Sequence, residues 1–201
     1  MPYDKIKKIL KLERQAGMSY VELIVVLSIF SLLSGIVIYN YGGFQARVDL
    51  KNLTSDIALK IVEAQDSSLS GKLSSQTPLV DPWKPSYGVY FSKVVNENKS
   101  FIYFADLDQG GDYDEGERIS VITIPKNQFI SDLKVFYGGP EGTAADDLAI
   151  VFKRPSSSAI ITSIKTNLPD DIISYAQITV SSADTSTAFI KVYPSGRIQL
   201  R

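Results

Sequence analysis

From position 21 to 41 the chain reads VELIVVLSIFSLLSGIVIYNY, an apolar run in which Glu22 is the single charge. At about 1.5 Å per residue, a helix of this run spans roughly 30 Å, enough to cross a bilayer. Beyond Gly42-Gly43 the pattern changes. Leu50, Leu53, Ile57, Ile61 and Ala64 recur at three- and four-residue steps, and Arg47, Asp49, Lys51, Asp56, Lys60 and Glu63 fill much of the remaining surface. This periodicity predicts an amphipathic helix over 44–66 with one face for a core. One long helix over 19–66, bent or partly melted at Gly42-Gly43, fits the pattern. Two helices joined by a loop there fit it equally well.

The segment 67–85 is rich in Ser, Gly, Lys and Pro and reads as a surface connection. After it the period shortens to that of strands, which are expected at 87–91, 101–105, 119–124, 133–137, 148–152, 160–164, 176–180, 188–193 and 197–200. Many short strands separated by turn residues indicate an antiparallel β-rich domain. The predicted class is α+β: a helix over 18–66, of which 21–41 is transmembrane, packed on a β-rich head over 67–201.

Charge adds direction to the apolar run. Lys5, Lys7, Lys8, Lys11 and Arg14 precede it, against Asp4 and Glu13. Basic flanks stay cytoplasmic, so the N-terminus is expected inside and everything after about Tyr41 exported. A secretory signal peptide would need a small-x-small cleavage site after the run. Ile38-Tyr39-Asn40-Tyr41-Gly42-Gly43 is a poor match. A plain signal anchor leaves Gly17 and Glu22 without a reason, although a carboxylate in lipid costs several kcal/mol unless paired.

Gly17-Met18-Ser19-Tyr20-Val21-Glu22-Leu23 resembles the processing site of type IV prepilins and type II secretion pseudopilins. The resemblance implies a basic leader over 1–17, cut after Gly17 on the cytoplasmic side by a prepilin peptidase. The same enzyme would then methylate Met18 as the new N-terminus. Glu22 becomes the fifth mature residue, where the family places its glutamate. The implied partners are other pilin or pseudopilin subunits, the peptidase-methylase, a membrane assembly platform, and the lipid bilayer before assembly. Physical chemistry gives Glu22 a task in such an assembly. A cleaved N-terminus leaves an ammonium at Met18, and one subunit's carboxylate can pair with a neighbour's ammonium so that each relieves the other's desolvation.

Composition removes several function classes. The 201 residues include no Cys and no His. Thiolate zinc sites, Cys or His nucleophiles, disulfides and the usual general base are therefore excluded. The chain also has no Walker-type loop or GxSxG elbow. The expectation is a protein without enzymatic activity. Formal net charge is −1, from 21 basic and 22 acidic residues; without the leader's five basic and two acidic residues it becomes −4. A mildly acidic chain carries no electrostatic footprint for nucleic acid.

A twelve-residue stretch from Asp106 to Glu117 concentrates carboxylates. Calcium takes six to eight oxygen ligands, and a loop can supply them from positions one, three, five, seven, nine and twelve. Asp106, Asp108, Asp112, Asp114 and Glu117 stand at one, three, seven, nine and twelve, and Gly111 stands at six, where a sharp turn is needed. Gly110 at five has no side chain to donate. The flanks are strands, so the candidate is a calcium loop at a hairpin tip, with a solvated acidic turn as the alternative. If calcium is held there it is structural, and it should raise the melting temperature of the head.

Tyr87-Gly88-Val89-Tyr90-Phe91, Phe104-Ala105-Asp106 and Tyr113-Asp114-Glu115-Gly116-Glu117 together resemble the H-type pseudopilins (general secretion pathway protein H) and the T-type minor fimbrial pilins. Val192-Tyr193-Pro194-Ser195-Gly196-Arg197-Ile198 resembles the closing hairpin of the same family. Pro194-Ser195-Gly196 is first a hairpin turn. Some T-type pilins bind DNA through a Gly-Arg-x-Arg segment at this place. Here Gln199 stands where the second arginine would be and Arg201 is out of register, so Lys191, Arg197 and Arg201 form a thin patch. Any DNA binding through it should be weak and salt-sensitive. The resulting expectation is a filament subunit: a minor pilin, a pseudopilin or a principal pilin. A DNA-binding uptake pilin and an exported adhesin or enzyme on a simple anchor are the competing classes.

Overall fold

The computed structural model describes residues 17–74, 84–169, 171–183 and 186–201, with Asn40 described by its backbone alone. The expected leader, apart from Gly17, and residues 75–83 of the expected surface connection lie outside the described residues. Helix α1 (Tyr20–Ser70) is followed by strands β1 (Ser86–Ser92), β2 (Ser100–Asp106), β3 (Arg118–Thr123), β4 (Gln128–Phe136) and β5 (Gly142–Ala145). The chain continues with β6 (Asp147–Phe152), β7 (Ala159–Thr162), β8 (Tyr175–Ser182), β9 (Thr187–Val192) and β10 (Ile198–Leu200). It divides into two units, Met1–Gly42 and Gly43–Arg201.

In the first unit, α1 is long and apolar enough to cross a membrane, and none of its most apolar window is buried within the protein. Leu23, Ile29, Phe30, Leu32 and Val37 all present exposed side chains. Ser28 is the kind of residue that weakens an apolar helix, yet its hydroxyl donates to the Ile24 carbonyl at 2.8 Å and so needs no water. The helix does not stop at Gly42-Gly43. Two interior glycines cost about 2 kcal/mol of helix propensity, and the long helical segments on either side offset it. The reading with a loop at this point is thereby corrected.

The second unit carries the core. The remaining part of α1 buries Leu50, Leu53, Ile57, Ile61 and Ala64, the face that the three- and four-residue spacing marks out. That face packs into a cluster fed by two five-stranded antiparallel sheets, ordered β3-β2-β1-β6-β7 and β10-β9-β8-β4-β5. The first sheet contributes Tyr87, Val89, Phe91, Leu148, Ile150 and Phe152; the second contributes Leu133, Val135, Ile178, Val180, Ile190 and Val192. The α+β class holds.

The first sheet has apolar side chains on both faces. Tyr90, Phe104, Ala149 and Val151 form a second cluster on its outer side, with Tyr113 and Ile102 packed against it. Gly88 makes this close packing feasible, since a Cβ there would lie 2.7 Å from the Phe104 ring and 2.8 Å from the Ile150 carbonyl.

Three details depart from the pattern reading. Residues 67–70 continue the helix rather than opening the surface connection. Ser67 and Ser68 are buried, and the sheet satisfies them: Tyr103 Oη donates to Ser67 Oγ at 3.0 Å, and the Tyr87 N–H donates to Ser68 Oγ at 2.7 Å. Strand β4 starts five residues before the expected 133, and β5 has no counterpart among the expected strands.

Candidate functional site

Three places carried candidate residues. At the N-terminal junction, Gly17, Met18 and Ser19 precede the helix in extended or irregular backbone and are exposed. The Leu23 N–H donates to the Ser19 carbonyl at 3.0 Å, which makes Ser19 the N-cap and Glu22 the third helical residue. Ser-x-x-Glu is the spacing of a capping box, in which the glutamate side chain reaches back to the N-cap N–H. A carboxylate in the first turn also meets the positive end of the helix dipole. The first-turn position and the Ser19 spacing give Glu22 a local setting that the hydrophobic pattern hides, although Ser19 three residues before it was a readable signal.

The acidic loop joins β2 to β3, which pair antiparallel, so it is the connection of a hairpin as its flanks predict. Asp106 closes β2 and is fully buried; Glu117 ends a short 3₁₀ turn (Glu115–Glu117) and is also buried; Asp108 is exposed. One carboxylate oxygen from each of these three lies within 4.8 Å of the others. Backbone amides of the loop fix their orientation. Glu117 Oε1 accepts the Leu107 N–H at 2.5 Å and the Asp108 N–H at 3.4 Å, while Oε2 accepts the Asp114 N–H at 3.2 Å. Asp108 Oδ1 accepts the Gly110 N–H at 2.8 Å. Asp106 Oδ2 accepts the Gly111 N–H at 3.2 Å, and Asp106 Oδ1 is buried without a hydrogen-bond partner.

Burial, then the nearby Glu117 charge, push the Asp106 carboxyl up to about 6. Burial also raises Glu117, and its backbone amide partners oppose that rise. Of the five carboxylates placed by spacing, the convergent group holds Asp106, Asp108 and Glu117, and leaves out Asp112 and Asp114. Gly110 lies against two carboxylates of the loop. A Cβ there would lie 2.7 Å from Asp112 Oδ1 and 3.0 Å from Asp108 Oδ1. Gly111, with φ +83°, takes the left-handed turn expected of it.

The loop lies against the outer face of the first sheet. Tyr113 packs edge-on to Phe104 at 5.2 Å between centroids and tilts over Tyr90 at 4.7 Å. Thr162 of β7 donates its hydroxyl to the Gly111 carbonyl at 2.9 Å. Beside Tyr113 opens a groove of about 460 Å³ lined also by Tyr90, Glu97, Glu115, Arg118 and Lys165. Sequence reasoning did not foresee this groove, because its residues come from four separate segments.

At the C-terminal turn, Tyr193 N–H donates to the Arg197 carbonyl at 2.9 Å, closing the hairpin between β9 and β10. Gly196 has φ +83°, and a Cβ there would lie 2.1 Å from the Ser157 carbonyl oxygen. Lys191 Nζ sits over the Tyr175 ring at 4.2 Å and the Arg197 guanidinium over the Tyr193 ring at 3.8 Å; these two rings are 5.6 Å apart. Lys191 and Arg197 therefore share one stripe. Arg201 lines a cavity of about 290 Å³ together with Arg47, Leu50, Lys51 and Leu200.

No family model matches the chain, and neither curated proteins nor solved structures give a match.

Proposed function

We propose that the chain is a pilin-like structural subunit, a minor pilin of a type IV pilus or a pseudopilin of a type II secretion system. In this reading it is cut after Gly17, methylated at Met18, and assembled through its N-terminal helix. The observation that carries it is a membrane-length helix with exposed apolar side chains and one carboxylate, Glu22, in its first turn. Before assembly those side chains lie in lipid; in the filament they pack against the same surface of neighbouring subunits. The β-rich head is exported. Met18 and Glu22 are the groups that form the charge pair between subunits, and breaking one strands the other.

Two substitutions test this. Glu22→Ala is expected to leave cleavage intact and to remove the protein from sheared filaments. Glu22→Gln separates charge from shape, because a glutamine keeps the size of the side chain and suits the same position of a Ser-x-x-Glu/Gln capping box, but loses the charge. The proposal requires Glu22→Gln to fail in assembly as well. Normal incorporation of either variant contradicts it.

DNA binding is the second reading, and the Lys191–Arg197 stripe is what favours it. The stripe holds only two cations on a chain of net negative charge, so any binding should be weak and salt-sensitive. A mobility shift at low salt that Arg197→Ala abolishes would support it, and no shift would remove it.

A further inference from the structure

We propose that Asp106, Asp108 and Glu117 hold a calcium ion, and that this ion fastens the 107–117 loop onto the outer face of the first sheet. The argument starts from the orphaned oxygen. Asp106 is fully buried and its Oδ1 has no hydrogen-bond partner, although Oδ2 is bonded to the Gly111 N–H. A buried polar atom without a partner is costly, and folded proteins seldom keep one without a reason. The reason here is proximity to two further carboxylates that each offer an oxygen.

The spacing suits one ion. Calcium–oxygen distances are about 2.3–2.6 Å, so two ligands of one ion stand no more than about 5 Å apart, and the three oxygens lie within 4.8 Å of one another. The donors are all hard oxygens, which favours calcium or magnesium over thiophilic metals. Calcium is the better match, since it accepts irregular geometry and extra carbonyl ligands from a loop, whereas magnesium demands near-ideal octahedral geometry. The donor set is also held in advance. Backbone amides of Leu107, Asp108, Gly110, Gly111 and Asp114 each bond one of the three carboxylates, so the loop backbone and the ligands form one network.

That network sets what the ion does. Gly111 is tied to Thr162 of β7, and Tyr113, two residues on, is packed on Phe104 and Tyr90. An ion on the three carboxylates holds the chain between Asp106 and Glu117 in the shape that seats Tyr113 on the sheet. Without it, mutual repulsion of the carboxylates works against that network and loosens the loop that carries Tyr113, which is also a wall of the neighbouring groove.

The test uses the full chain in detergent micelles, titrated with calcium chloride by calorimetry and followed by amide hydrogen exchange over residues 107–117. A single saturable calcium site is expected, with magnesium at least about tenfold weaker. Calcium should slow exchange across the loop. Asp108 is exposed, so Asp108→Asn keeps the fold; its calcium affinity should drop by about tenfold or more. Asp106→Asn should lose calcium to the same degree and, by removing a buried charge, slow exchange in the calcium-free protein. Asp112→Asn should bind as the parent does. Absence of saturable heat at millimolar calcium overturns the proposal, as does unchanged affinity in Asp108→Asn. Equal binding of magnesium overturns the choice of calcium. An equal loss in Asp112→Asn overturns the assignment of the three ligands.

Discussion

Ser68 accepts the backbone N–H of Tyr87 at 2.7 Å through its hydroxyl, deep in the protein and nineteen residues away along the chain. One bond thus joins the last turn of the long helix to the start of the first sheet's central strand. Ser68→Ala leaves that buried N–H without a partner. The expected loss of stability is about 1–3 kcal/mol, measured by denaturant unfolding of the full chain in detergent. A change within error would mean that the helix end is not anchored there.

Gly196 offers a second check on the same anchoring. Gln65 of the helix donates to the Ser157 carbonyl at 2.9 Å and to the Gly196 carbonyl at 3.4 Å. Gly196→Ala would bring a Cβ into the Ser157 carbonyl at a positive φ. A cost above about 1 kcal/mol is expected, again read from unfolding, because neither the backbone contact nor the dihedral can relax cheaply. A silent substitution would show that the closing hairpin is not pressed against its neighbours.

Acid dependence should appear at Glu97. Its hydrogen bonds from Lys165 at 2.6 Å and Ser92 at 2.7 Å hold its carboxyl below the ordinary glutamate value, with Lys165 the larger cause. A carboxyl lowered on folding stabilises the protein above its unfolded pKa of 4.5, and that contribution disappears as pH falls through the lower folded value. Since the pair is partly exposed, its worth is within about 1 kcal/mol. Glu97→Gln should lower the melting temperature near neutral pH and match the parent at pH values well below 4.5. A difference that persists unchanged into acid would point to lost packing instead of lost charge.

Much of the head was legible because its core positions keep strict periods. Leu50, Leu53, Ile57, Ile61 and Ala64 announced the buried helix face, and nine of the strands fell near their apolar runs. Strand β5 was not legible. Gly142-Thr143-Ala144-Ala145 lacks large or branched apolar residues, and it becomes a strand by pairing with residues 133–136 of β4. The early start of β4 was hidden by buried Gln128 and by a bulge between Ile130 and Asp132, which breaks the alternation. Ser67 and Ser68 looked like loop residues since their partners, Tyr103 and Tyr87, are set by tertiary contact.

The candidate site was legible to the same partial extent. Loop spacing identified the carboxylates, but position in a loop does not say which ones converge. Burial of Asp106 and Glu117 and the turn at Gly110-Gly111 make that selection.

The most direct test of the central claim is mass spectrometry of the protein's N-terminus in filaments sheared from the cell surface and in the membrane fraction. The pilin-like account predicts a mature chain that begins at N-methylated Met18 in both fractions, scarce in the filaments if it is a minor subunit and dominant if it is the principal one. An intact leader, or a chain that begins beyond Tyr41, would contradict it.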